Sequence, residues 1–176
     1  MDTHFSLNAD LRGHIDYNSY DSYVEGRFNT WSRIDSEYRS LVDKVLDAPD
    51  FPYFREKDFG YGTIEDMGDT EADRPPRTYG IIRKELELDK EYDMAKLGKE
   101  AGHIILYITD DTASPQRAAQ ILLDIRKRFD AAGVGFYAVD LNLRSEEDKE
   151  SVWLEDFLYG DIYEKGLEER IKESMR

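Results

Sequence analysis

The sequence predicts an α/β domain, and three observations carry that prediction. Two apolar runs, 103–109 and 134–143, have the length and the branched-residue content of buried strands. Between them 114–133 reads as one helix, with Ser114 as its cap, Pro115 at its first position and Gly133 as its stop. A strand, a helix and a strand within about forty residues is the spacing of a parallel βαβ unit. The expected architecture is α/β or α+β: an N-terminal helical hairpin packed on a small mixed sheet containing one βαβ unit (103–143), followed by a C-terminal helix. A single domain over 1–176 suits the length, which is enough to bury one sizeable core.

Taken in order, Phe5 and Leu7 alternate with polar neighbours and suggest a short strand. Tyr17, Tyr20, Val24, Phe28 and Trp31 follow in steps of three and four, which predicts a first helix with an aromatic stripe. Ser32 is placed to cap a second helix carrying Ile34, Tyr38, Leu41, Val42 and Val45. Periodicity then disappears. The first half of the connection, 51–61, is aromatic, whereas 62–77 reads as a mobile acidic loop. Beyond it, 79–88 alternates like a strand, 92–99 like a short helix, and the βαβ unit follows with Ala118, Ile121, Leu122, Ile125 and Phe129 on one helical face. Trp153, Phe157 and Leu158 mark a docking segment, and Leu167, Ile171 and Met175 a terminal helix.

Charge and inventory narrow the function classes. The formal net charge is −15, with 36% of residues charged against roughly 25% in typical soluble domains. Such a charge opposes binding to phosphate backbones, so no nucleic-acid partner is expected. The absence of cysteine removes disulfides, thiol catalysis and thiolate metal sites, and suits a reducing cytoplasm. The first ten residues carry acids where a secretory signal would need a basic patch, and the longest apolar run, 104–108, is far short of the roughly 20 residues that cross a bilayer. A cytoplasmic location without membrane association is the expectation.

Candidate sites fall in two places. Asp110, Asp111 and Thr112 follow a buried strand and precede a capped helix, the position beyond strand ends where α/β sheets bind ligands. With Asp140 they could hold magnesium or act as acid and base, although acids before a helix also simply complement its dipole. Arg83 or Lys84 is a possible partner for Asp140 if its carboxylate is buried. The second place is the aromatic stretch with Phe51, Tyr53, Phe54, Phe59 and Tyr61, joined by Glu65 and Asp66, whose rings either fill the core or meet a partner. His4, His14 and His103 lie too far apart for a short zinc motif, and neither a phosphate loop nor a nucleophile elbow occurs. The leading expectation is a non-enzymatic, acidic interaction protein that binds a basic protein partner without a cofactor, inhibitor-like or immunity-like in character. The alternative is a small-molecule-binding protein or magnesium-dependent hydrolase built on Asp110 and its neighbours.

Overall fold

The computed structural model describes residues 1–56, 59–68, 78–145 and 151–175. Its centre is a five-stranded mixed sheet. β5 (Gly102–Asp110) and β6 (Ala138–Ser145) are parallel neighbours joined through α3 (Pro115–Ala132), as the sequence predicts. β7 (Ser151–Leu158) pairs antiparallel with β6 on one side. On the other side β5 meets two short antiparallel segments in succession, β3 (Phe54–Arg55) at its far end and β4 (Tyr61–Ile64) at its beginning.

Helix α3 forms for the reasons its sequence gives. The Ser114 hydroxyl accepts a hydrogen bond from the Arg117 amide, Pro115 opens the first turn, and Gly133 ends the helix at φ 67. Its stripe of Ala118, Ile121, Leu122, Ile125 and Phe129 is fully buried. Each large apolar side chain so buried contributes about 1.5–3 kcal/mol relative to exposure. That stripe belongs to one core with Ile34, Tyr38 and Val42 of α1 (Phe28–Leu46), Leu97 and Ala101 of α2 (Met94–Ala101), and Leu167 and Ile171 of α4 (Leu167–Ser174). The sheet supplies Ile104, Leu106, Ile108, Val139, Leu141, Leu143, Val152, Leu154 and Phe157 to the same core. These alternate along their strands with residues absent from that core, so the helices cover one face of the sheet. The apolar run of β5 predicts cover on both faces; the helices supply it on one.

The N-terminal region departs from the predicted helical hairpin. Tyr17 lies in β2 (Ile15–Asn18), which pairs with β1 (Leu7–Ala9) to form a separate two-stranded ribbon. A π-helical turn over Asp21–Glu25 follows, and then a single long helix in which Ser32 is an interior residue rather than a cap. The break falls at Arg27, whose φ is 60 and whose guanidinium donates to the carbonyls of Val24 and Leu86. Those bonds tie the break to the turn that ends at Leu86. Tyr17 and Tyr20 are consequently exposed, not core, and Tyr23, which lies off the predicted stripe, is exposed as expected.

Two further expectations are corrected. The 79–88 stretch is not a strand: Ile81 makes one isolated bridge to Asp66, and Arg83–Glu85 forms a turn of 3-10 helix. The supposed loop 62–77 begins as β4 and continues into an ordered turn through Gly68, while 69–77 lies outside the described residues. No helix among the described residues is long and apolar enough to cross a membrane.

Candidate functional site

The face of the sheet turned away from the helices is a grid that register alone defines. Residues paired across neighbouring strands share a face, so each ladder position sets a row. One row runs Phe54, Thr109, Arg144, Ser151, and the next Tyr107, Asn142, Trp153. A third holds Tyr61, Ile105 and Asp140, and the last His103, Ala138 and Leu158. Arg55, one residue from Phe54, turns the opposite way and buries its guanidinium against Asp43 of α1 and Asp47, the residue that caps its end.

The first two rows are aromatic and open. Phe54 is 71% exposed, Phe59 59% and Trp153 45%. The Phe59 ring leans on Tyr107 at 5.8 Å, and the Arg144 guanidinium stands over the same tyrosine at 5.8 Å. At the sheet edge Arg39 covers Tyr61 at 4.6 Å. These cation–π contacts hold long side chains flat along the face rather than free in water.

The last two rows carry charge. Nδ1 of His103 lies 2.7 Å from Oε1 of Glu65, the residue after β4, and the imidazole is fully buried. Nε2 lies 2.9 Å from Oδ1 of Asp140, yet out of line for an N–H hydrogen bond. In β7 three steps, from Leu154 to Phe157, oppose two in β6, from Leu141 to Val139. This bulge brings in Asp156 at φ 49, and its amide donates to Oδ1 of Asp140 at 2.7 Å. Tyr79 donates its hydroxyl to Asp156 at 2.7 Å, stacks on Tyr137 at 4.5 Å, and presents an edge contact to His103. Burial would by itself drive the imidazole toward its neutral form, but Asp140 and Glu65 outweigh it and raise the His103 pKa to about 9. One ring nitrogen of His103 and one oxygen each from Asp140 and Asp156 lie within 4.8 Å of one another.

A family model described as the YfjL-like C-terminal domain matches residues 37–172. The chain belongs to that family. The YfjL-like match takes in the whole grid and its charged end, whereas the β1–β2 ribbon precedes it. Neither the curated proteins nor the solved structures yield a match. The description of the YfjL-like domain states no activity, so function rests on the side chains.

Against this geometry the predicted site residues of the YfjL-like chain separate. Asp110 forms an ion pair with Arg117 of α3 at 2.7 Å, and although burial alone would raise its pKa, Arg117 outweighs that and lowers it. Asp111 and Thr112 are exposed beside it. Asp140 is not with them: it pairs with Ile105, five residues before Asp110 along β5, about 16 Å away at the rise of a strand. Its described partners are His103 and the Asp156 amide rather than Arg83 or Lys84, since Arg83 pairs with Asp66.

The aromatic stretch also divides. Phe51 and Tyr53 pack against the core, beneath Arg128 and Arg117, while Phe54, Phe59 and Tyr61 reach the open face. Glu65 and Asp66 turn inward, to His103 and to Arg83. His103 and Asp156 were absent from the expected site. Two polar residues inside apolar strands, His103 and Asp140, were the available signal; nothing in the spacing points to Asp156.

Proposed function

We propose that this domain works by binding rather than by catalysis, and that the face of its sheet that is helix-free among the described residues docks a basic protein partner in the cytoplasm. The observation that carries the reading is the set of Phe54, Tyr107, Arg144 and Trp153 on two adjacent rows of that face, with Phe59 leaning on Tyr107 and three of the rings around half exposed or more. Aromatic residues and arginine dominate the energetics of protein interfaces, because they bury large areas at small conformational cost. A sheet face is also rigid, so little entropy is lost when a partner settles on it. The net charge of −15 supplies the other half of the argument. It disfavours acidic partners and nucleic acid, and it accelerates encounter with a positively charged protein. The cysteine-free composition suits the reducing compartment in which such an encounter would occur.

Affinity capture from native lysate tests this, with the wild-type chain compared at low and high salt with the double variant Phe59→Ser, Trp153→Ser. A variant on the helical side, Lys172→Ala in α4, serves as control. The partner is expected to be retained by wild type and control at low salt, weakened at high salt, and lost by the double variant. Capture of nothing at either salt, or of the same protein by the double variant, would overturn the reading.

A further inference from the structure

The charged end of the face supports an inference independent of any partner. Three adjacent strands deliver one residue each: His103 from β5, Asp140 from β6 and Asp156 from the bulge of β7. Acids alone would mean little, because carboxylates cluster on many surfaces. What singles out this cluster is the imidazole. His103 is wholly buried, its Nδ1 is engaged by Glu65, and Nε2 faces Asp140 without an in-line hydrogen bond. When a cation displaces the Nε2 proton, the carboxylate on Nδ1 fixes the tautomer and orientation that offer Nε2 as a ligand.

We propose that His103 Nε2, Asp140 and Asp156 form a binding site for a first-row divalent transition cation such as zinc, with Glu65 as the positioning residue. The donor set selects the class. One imidazole nitrogen with two carboxylates suits zinc or manganese, whereas magnesium favours oxygen ligands and keeps much of its water. Three protein ligands leave coordination positions for water or an incoming group. The short-motif reading of the histidines missed this site because its ligands come from three strands and are separated by 37 and 16 residues in sequence.

Isothermal titration of the full chain, freed of metal by dialysis against chelator, tests the site with zinc, manganese and magnesium chlorides. Zinc is expected to bind at one saturable site per chain, and magnesium to give no comparable isotherm. Asp156→Asn should abolish the zinc isotherm; at φ 49 asparagine is tolerated, so the fold is retained. Glu65→Gln should weaken zinc about 10–100-fold, as expected for a residue that orients a ligand. Asp110→Asn, at the other end of the sheet, should leave it unchanged. Cobalt chloride gives a second readout that does not depend on any variant, a visible absorption band distinct from that of the aqueous ion. Failure of zinc to saturate, an Asp156→Asn isotherm equal to wild type, equal binding of magnesium, or an aqueous cobalt spectrum would each overturn the proposal.

Discussion

Nδ1 of His103 lies 2.7 Å from Oε1 of Glu65, so the start of a buried strand is tied to the chain just beyond β4 by a charge-assisted contact. Hydrogen bonds to charged groups are worth about 1.5–3 kcal/mol, and more is lost when the remaining partner stays buried. Glu65→Gln is therefore expected to cost about 2 kcal/mol in urea unfolding with an unchanged slope. A loss indistinguishable from zero would show that the contact is not maintained in solution.

Tyr38 reaches from α1 to the carbonyl of Gly135 at 2.9 Å, fully buried. Removing the hydroxyl leaves that carbonyl without its donor while the ring still fills its space. Tyr38→Phe should destabilise by about 1–2 kcal/mol, measurable as a lower denaturation midpoint.

Gly98 sits in α2, where alanine would ordinarily stabilise a helix by about 1 kcal/mol. Here a Cβ would collide with the Gly135 carbonyl and press on the Tyr38 ring. Backbone cannot yield as a flexible side chain would, so Gly98→Ala should lower the melting temperature. A rise would contradict the close packing of α2 on the 133–137 segment.

Arg33 donates to both carboxylate oxygens of Asp2, and Oδ2 also accepts from the Asp89 amide. Arg33, against the opposing effect of burial, lowers the carboxyl pKa from 3.8 to about 2. A depressed folded pKa contributes stability above the unfolded value and loses it as pH falls through the folded one. The pair should supply about 2 kcal/mol at neutral pH, lost between pH 3.8 and about 2. Asp2→Asn should lower stability at pH 7 and flatten the acid limb of a pH–stability profile.

The parts of the fold that were legible are those in which local chemistry and tertiary packing agree. Helix α3 has a cap, an initiating proline, a continuous apolar stripe and a terminating glycine, and β5 has an unbroken apolar run. Elsewhere the same patterns misled. The steps from Tyr17 to Trp31 mimic one helical face, but the chain passes through a strand, a π-turn and a left-handed residue in that span. The alternation of 79–88 lacks a neighbouring strand to complete it. β7 was obscured because its bulge shifts the alternation between Leu154 and Phe157, and that same shift delivers Asp156 to His103. The candidate site was the least legible feature, since register among separate strands assembles it and no local spacing records that register.

The central claim, that a partner occupies the helix-free face, is tested most directly by Trp153. The chain has two tryptophans, and Trp31 is half-buried with its indole donating to the Ile64 carbonyl. In a Trp31→Phe chain, fluorescence reports Trp153 alone, on a row shared with Tyr107 and Asn142. Addition of the captured partner should shift that emission to shorter wavelength and protect it from acrylamide. A partner that binds while Trp153 remains as accessible to acrylamide as before would contradict the account.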